Sequence, residues 1–409
     1  MYQAELVTFA FLLPIYRKVI PYVIAVMVIT WLLEGDFAGK AKRLVNSNHR
    51  FNTLLFTGLY LLYGFGLLYT RNFEYGFFDM EVKMSLFIFP VIMATVRDEI
   101  LTFAVARKVL WSFVFGALFS LILCYGLAFT EYMETGSLRE FYYSSLSSLI
   151  HPSYLAMYVC FAIAVLLYFL HTGRVQGMIR QVLAWLLILL FEFFVIMLSS
   201  KAGILSLALV LALYVAYLVF KERQFLKGIG RGALLGASFI FLFMMFPASA
   251  ERFEETREDL GQAEINAGEI ASSSGERIMI WWYSFEITNE HFLWGVGTGD
   301  IKDQLLIKYN EKDMVNAFKL ELNAHNQYLQ TMITLGIIGL IVLLLNLILP
   351  ALYSMEQKHY LYLVFLILIG FNLLFESMLE TQAGVVFYAF FNAYLFAIKK
   401  DPASVETGS

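Results

Sequence analysis

Charged residues are scarce in this chain of 409 residues, since Asp, Glu, Lys and Arg make up only 15% of it. A soluble domain usually carries about a quarter of its residues in these four types. The formal net charge is −4, and no cluster of Lys and Arg is dense enough to indicate a polyanionic partner. The composition therefore excludes an ordinary soluble domain and gives no sign of nucleic-acid binding.

Cysteine is also rare, because the chain has only Cys124 and Cys160. Both lie inside apolar blocks, so we expect neither a disulfide framework nor a Cys-based metal site. HExxH and Asp-rich metal-binding pairs are missing, and the Gly295–Gly299 run lacks the Lys-Ser/Thr of a P-loop. We therefore predict no metal and no cofactor. No cleavable signal peptide is evident either, because the first apolar stretch has no basic n-region and no small-residue cleavage site.

Hydrophobic residues dominate the remainder, at 60% of the chain with a mean hydropathy of +0.69. They come in blocks of about 16–25 residues, the length that crosses a bilayer as a helix. The sequence predicts an all-α, polytopic membrane protein with about twelve transmembrane helices.

The distribution of Lys and Arg among short loops predicts the orientation. One side of the membrane collects sixteen of them and the other only six, namely Arg17, Lys18, Arg71, Lys83, Arg139 and Lys201. Because the richer side faces the cytoplasm, we predict that both termini are cytoplasmic and that the one long polar loop lies on the opposite face.

Four regions follow from this pattern. We predict transmembrane helices 1–9 in residues 1–247, a loop domain in 248–324, transmembrane helices 10–12 in 325–398 and a cytoplasmic tail in 399–409. The first part of the loop, 251–276, is acidic and is predicted to be a mobile helix with a linker. From Glu276 to Phe292 an amphipathic helix is predicted, whose apolar face comprises Ile278, Trp281, Trp282, Phe285 and Ile287.

His325 is the leading candidate for chemistry. It lies where the polar loop ends and a membrane helix begins, followed by Asn326-Gln327. Histidine has the side chain whose unperturbed pKa lies closest to neutrality. A histidine that only makes hydrogen bonds at a helix start explains the position about equally well.

Arg277 and Lys201 are two cations predicted on the same face. An arginine can bind a phosphate with two hydrogen bonds and stays charged beside lipid. For Arg277 the simpler interpretation is a side chain that reaches lipid headgroups or pairs with Glu276, and for Lys201 it is an ordinary loop lysine. Together, the two cations and His325 could bind a lipid diphosphate and act on the group attached to it.

Other residues are weaker candidates. The site could also be supported by Asn326, Trp281, His151 and Glu376. His151 is better explained as a helix cap, and Glu376 with Glu380 as a solvated helix end. Trp281, Trp282 and Trp294 could stack on sugar rings or belong to an aromatic belt. Glu192, a carboxylate deep inside an apolar segment, is predicted to make a structural hydrogen bond, with a proton path as the alternative.

Three places resemble the O-antigen ligase family within the O-antigen ligase/polymerase superfamily. These are Arg277-Ile-Met-Ile-Trp281 with the later Gly295-Val-Gly297-Thr-Gly299, His325-Asn326 with Gly336 after ten intervening residues, and Lys201-Ala-Gly-Ile-Leu205 where the family usually has Arg-x3-Leu. The lysine at 201 keeps the charge but loses the two-pronged guanidinium.

The resemblance implies a GT-C-like glycosyltransferase of the bacterial inner membrane with a periplasmic active site. The donor would be a glycan on undecaprenyl diphosphate and the acceptor a sugar hydroxyl of lipid A–core, with membrane lipids as further partners. Arg277 and Lys201 would bind the diphosphate and His325 would act as the base, with inversion of the anomeric centre.

Two kinds of alternative stay open. An O-antigen polymerase would use the same donor with a second lipid-linked glycan as acceptor, and a protein-glycosylating relative is a further possibility. A transporter or lipid flippase belongs to a different class, but few charged residues lie inside the segments and no paired broken helices indicate a midplane site.

Overall fold

The structure is a computed structural model that describes residues 1–46, 50–246 and 273–398. Within these ranges the regular elements are helices and no strand occurs, which agrees with the all-α prediction. The helices are α1 Tyr2–Leu12, α2 Ile20–Leu33, α3 Phe37–Asn46, α4 Arg50–Gly66, α5 Phe73–Lys83, α6 Ser85–Thr95, α7 Phe103–Thr135, α8 Tyr143–Leu146, α9 Pro152–His171, α10 Met178–Met197, α11 Lys201–Ala216, α12 Phe225–Met245, α13 Ser273–Glu290, α14 Ile301–Glu311, α15 Val315–Lys319, α16 Gln327–Glu356, α17 Tyr360–Asn372 and α18 Gln382–Ala397.

Seven helices in the described part of the chain are long and apolar enough to cross a bilayer. They are α4 with the turn that follows it, α7, α9, α10, α11 with its last turn, α12 and α16. The helices α17 and α18 are apolar but shorter, and the helical stretch that includes α2 meets α3 at a bend of 103°. These features support a polytopic membrane protein, while the number of twelve spans stays a prediction.

The centre of the bundle is formed by α9 and α18, which are buried along nearly their whole length. Their aromatic side chains interlock with α7: the ring centroid of Phe391 lies 4.9 Å from that of Phe161 and 5.0 Å from that of Phe113. Edge-to-face contacts of this kind stabilise a core beyond the burial of their area. The central position of α18 fixes the loop that precedes it, which carries Glu376.

Several helices end together at one end of the bundle. The Asn372 side chain at the end of α17 donates to the Ser206 hydroxyl of α11 at 2.8 Å. The backbone N–H of Gln327, the first residue of α16, donates to the carbonyl of Leu373 at 2.8 Å. These bonds tie the start of α16, the end of α17 and the first turns of α11 into one rigid end.

The helices α13, α14 and α15 share a small apolar core with the first turns of α16. Its buried members are Ile280, Ile287, Val296, Ile301, Leu305, Tyr309, Ala317, Ala324, Leu329 and Ile333. This core extends across the predicted boundary between 324 and 325, so the loop segment and α16 pack as neighbours. The division into four regions is not decided by this packing and stays a prediction.

Only part of the predicted apolar face of α13, which we expect on the membrane surface or against the helix bundle, is buried. Trp282 and Phe285 are 67% and 52% exposed, whereas Ile280, Tyr283 and Ile287 are buried. The helix is apolar on two sides, and the side with the 280–283–287 spacing packs on the small core. The sequence pattern alone could not distinguish these sides.

The acidic stretch before α13 is predicted to be mobile. Residues 247–272 of the chain, like the tail 399–409, lie outside the described residues.

Candidate active site

Glu376 joins the two strongest sequence candidates. One of its carboxylate oxygens, Oε1, lies 3.3 Å from Nη2 of Arg277, and the other, Oε2, lies 3.6 Å from Nδ1 of His325. The second guanidinium nitrogen of Arg277 donates to the carbonyl of Phe375 at 3.1 Å. A helix of the loop segment and the start of α16 are therefore joined through one side chain on the loop before α18.

The carboxyl group of Glu376 is ionised at neutral pH. Its side chain is 10% exposed, and burial alone would raise its pKa. The contact with His325 and the positive charges of Arg277, His325 and His151 outweigh that effect and lower the pKa of Glu376 to about 2. An ionised carboxylate next to an imidazole stabilises the protonated ring and orients it. The prediction that Glu376 and Glu380 form a solvated helix end is wrong, because both side chains are buried.

His325 occupies a tight turn with an unusual backbone. Its φ is +46°, a left-handed conformation that costs a non-glycine residue about 1 kcal/mol or more. Its N–H donates to Oδ1 of Asn323 at 2.9 Å, and the N–H of Ala324 donates to Oε1 of Gln330 at 3.0 Å. These bonds hold the turn so that the imidazole points at Glu376.

Asn326 is a helix cap in this structure. Its Oδ1 accepts the N–H groups of Tyr328 at 3.0 Å and Leu329 at 3.1 Å, which begins α16 directly after His325. Asn326 therefore fixes the direction of the chain at His325, immediately before α16 begins. Its carboxamide oxygen is already used by the backbone, so its support of the site is structural.

Arg277 lies in the early turns of α13, and 31% of its side chain is exposed. The alternative that it pairs with Glu276 is wrong, because its acidic partner is Glu376. Glu276 instead accepts a hydrogen bond from the side chain of Asn316 at 2.8 Å. The guanidinium is held at the buried loop and still keeps an exposed part that an anion can reach.

Lys201 begins α11 at the same end of the bundle. The preceding Ser200 caps α11 by accepting the N–H of Gly203 at 3.2 Å, and it donates to the hydroxyl of Ser153 at 3.2 Å. His151 caps α9 by accepting the N–H of Ser153 at 3.4 Å, so the interpretation as a cap is correct. Lys201 is partly exposed, and its helix start lies beside that of His151, whose charge acts on Glu376.

Polar atoms without partners occur on residues next to this cluster. Within the described ranges, Nε1 of Trp281, Oγ of Ser377 and Nδ1 of His325 are buried and make no hydrogen bond by strict geometry. The contact of His325 Nδ1 with Glu376 spans 3.6 Å, which is longer than a hydrogen bond. Trp281 follows Arg277 by one helical turn, and Ser377 follows Glu376 directly. Buried donors without partners are rare in folded proteins, so these atoms are candidates for substrate contacts.

The run from Gly295 to Gly299 is a turn, as predicted, and it docks on a break in α16. The backbone N–H of Val296 donates to Ile333 at 2.8 Å and that of Gly297 donates to Thr334 at 3.0 Å. At Gly336 the helix is interrupted, with φ +66° and ψ −163°. The family spacing, with ten residues between His325 and Gly336, thus links the candidate base to a packing site.

Glu192 makes the structural hydrogen bond that the sequence predicts. It is fully buried in α10, and its Oε2 accepts a hydrogen bond from the hydroxyl of Ser238 in α12 at 2.7 Å.

Within the described ranges, no three His, Cys, Asp or Glu side chains have the geometry of a metal site. The predicted absence of a metal cofactor stays a prediction.

Sequence analysis missed Tyr154 in this region and named Gln327 only as a polar neighbour of His325. Tyr154 is buried in the first turn of α9, 6.0 Å from the ring of His151, and its hydroxyl interacts with Thr381 and with the charge of Glu376. Gln327 is fully buried, and its side chain contacts the loop before α18. The Gln in Asn326-Gln327 was visible in the sequence, whereas nothing local marked Tyr154.

Comparison with known families agrees with this geometry. The family described as O-antigen ligase matches residues 182–344, a range that includes Lys201, Arg277 and His325. Glu376 lies outside the matched range. No curated protein matches the chain significantly. The resemblance seen in the sequence is therefore supported independently, because residues 182–344 match the O-antigen ligase family.

Proposed function

We propose that this protein is an O-antigen ligase, which transfers a glycan from undecaprenyl diphosphate to a sugar hydroxyl of lipid A–core. The observation that carries the proposal is the contact of Glu376 with both Arg277 and His325. A candidate base and a candidate phosphate-binding cation come from separate segments and meet at one ionised carboxylate. Both lie inside the segment that matches the O-antigen ligase family.

In the proposed reaction His325 accepts the proton of the acceptor hydroxyl. The hydroxyl oxygen forms a bond to the anomeric carbon while the bond from that carbon to the diphosphate oxygen breaks. Undecaprenyl diphosphate leaves with the electron pair, and the anomeric centre is inverted. Glu376 stabilises the imidazolium that results and keeps the ring oriented, the role that a carboxylate has beside many catalytic histidines.

The leaving diphosphate gains negative charge as the bond breaks, and fixed cations lower the energy of that state. Arg277 supplies its partly exposed guanidinium and Lys201 a second positive charge from the neighbouring helix start. The indole N–H of Trp281 and the hydroxyl of Ser377 are the buried donors available for a phosphate oxygen or a sugar hydroxyl. Arg277 is partly neutralised by Glu376, so a second cation would add to the stabilisation of the diphosphate.

The proposal includes a location. The protein would lie in the bacterial inner membrane with both termini in the cytoplasm, and the end of the bundle that carries His325 would face the periplasm. The Lys and Arg distribution among the short loops supports this orientation. A lipid-linked donor and a lipid-anchored acceptor would both reach the site from the membrane.

The test is a transfer assay with purified protein and undecaprenyl-diphosphate glycan in the presence of EDTA. One reaction receives lipid A–core and a second receives only further lipid-linked glycan. Product that forms with lipid A–core alone supports the ligase. Glycan ladders that form without core would instead identify a polymerase.

Two results would contradict the proposed chemistry. A strict requirement for a divalent metal would show that Arg277 and Lys201 do not suffice to stabilise the leaving group. Retention of the anomeric configuration, read by NMR of the product, would replace direct displacement with a covalent intermediate.

A further inference from the structure

A fully buried lysine, Lys83, lies beside the candidate site without belonging to it. Its ammonium contacts the carboxylate of Asp79 one turn earlier in α5, and Oε2 of Glu380 lies 2.9 Å away. The ring of Tyr63 lies 4.6 Å from the ammonium nitrogen. One cation and two carboxylates are therefore enclosed together at the end of the bundle that carries His325.

Such a cluster is costly to maintain. Each ion loses several kcal/mol of hydration when it is buried, and the attraction between the ions often only restores this loss. Apolar side chains would fill the same space with equal or better stability. Charged residues enclosed in a membrane protein are accordingly functional candidates by default.

Gln327 connects this cluster to both halves of the site. Its Nε2 donates to Oε1 of Glu380 at 3.2 Å, and its Oε1 accepts the N–H of Leu379 at 2.7 Å. Its own N–H donates to Leu373 at 2.8 Å. Gln327 follows His325 by two residues, and Leu373 and Leu379 flank Glu376 on its loop. The loop is therefore held on both sides of Glu376 by the first residue of α16, which lies two positions after His325.

We propose that Lys83 is a positioning residue for the glycosyl transfer: through Glu380 and Gln327 it fixes the distance between His325 and Glu376. This inference rests on the proposed function. Lys83 touches neither candidate residue directly, so it is not a catalytic residue. Its charge orients Glu380, Glu380 orients the amide of Gln327, and that amide sets how the two segments meet.

The proposal predicts a defect in turnover rather than in binding. Lys83→Met leaves two buried carboxylates without their cation, and we expect kcat per folded molecule to fall by about 10- to 100-fold, the effect of a displacement of about 1 Å in a catalytic contact. KM should change by less than about threefold. Lys83→Arg, which retains the charge, should recover most of kcat. Folded protein is quantified by size-exclusion chromatography in detergent.

Lys40→Met is the matched control. Lys40 is also buried and also paired, with Glu34 at 3.1 Å, but it lies in α3, and its ammonium also contacts Trp31 rather than a candidate site residue. We expect this variant to lose stability and to keep kcat per folded molecule. If Lys83→Met does not fold, Gln327→Met tests the same connection and should show the same loss of kcat.

A second measurement separates positioning from general stabilisation. In a Glu376→Gln background the placement of residue 376 no longer matters, so Lys83→Met should add little to the loss, measured in single turnovers with enzyme in excess. An equal loss in both backgrounds, or an unchanged kcat in Lys83→Met, would overturn the inference. Absence of transfer by the wild-type protein, or full activity of His325→Ala, would instead contradict the proposed function itself.

Discussion

The backbone of Gly336 lies directly against the carbonyl group of Leu293. A Cβ at Gly336 would overlap that carbonyl and would come within 2.6 Å of the Trp294 nitrogen. The N–H of the next residue, Ile337, donates to the carbonyl of Phe292 at 2.8 Å. Glycine is therefore required here for two independent reasons, the close approach of a second chain segment and a φ of +66°.

Gly336→Ala should consequently separate the Gly295–Gly299 turn from α16. We expect a loss of stability of several kcal/mol, because the clash is with backbone and cannot be relieved by a side-chain rotation. Transfer activity should fall with the amount of folded protein. Thermal unfolding in detergent measures the change.

Gly126→Ala provides the control for that variant. Gly126 lies inside α7, and a Cβ there would meet no atom within 4 Å. Alanine should stabilise the helix by up to about 1 kcal/mol, since glycine is the poorer helix former. Equal unfolding temperatures for the two variants would show that the break at Gly336 does not need glycine.

The sequence was sufficient for the helical class and for three separate candidates, but not for the contact that joins two of them. Arg277 and His325 are recognisable from residue type and context, whereas their contact through Glu376 depends on the loop before α18, far along the chain. Local patterns carry no information on such long-range contacts. The same limit explains why Glu376 and Glu380 looked like a solvated helix end, and why Lys83 looked like an ordinary loop cation.

His325→Ala should lower kcat by about two to four orders of magnitude, the usual contribution of a general base. The fold should survive, because the turn is held by the side chain of Asn323 and by the Asn326 cap rather than by the imidazole. His359→Ala is the matched control, since the ring of His359 caps α17 by accepting the N–H of Tyr362 at 3.3 Å. This control should lose stability only. Near-normal turnover in His325→Ala would remove the base from the mechanism.

Glu376→Gln should alter the pH dependence of stability. The pKa of Glu376 is lowered to about 2 in the folded protein, against about 4.3 for an unfolded glutamate. A lowered pKa stabilises the fold fully above the unfolded value, and this contribution disappears as the pH falls toward 2. At pH 7 the variant should therefore unfold at a lower temperature than wild type, and the difference should shrink between pH 5 and pH 3. A difference that is constant over this range would show that the charge of Glu376 is not stabilised by its neighbours.

Lys201 allows charge to be separated from geometry. If its role is to place a positive charge near the diphosphate, Lys201→Arg should keep most of the activity, because arginine supplies the same charge on a side chain of similar reach. Lys201→Met should lower kcat/KM by about 10-fold or more, because the positive charge beside the diphosphate is removed. The Ser200 cap of α11 is backbone-directed and should survive both changes, so unfolding temperatures should stay close to wild type. Transfer rates over a range of donor concentrations provide the measurement. Equal activity of Lys201→Met and wild type would remove Lys201 from the site and leave Arg277 as its one proposed phosphate-binding cation.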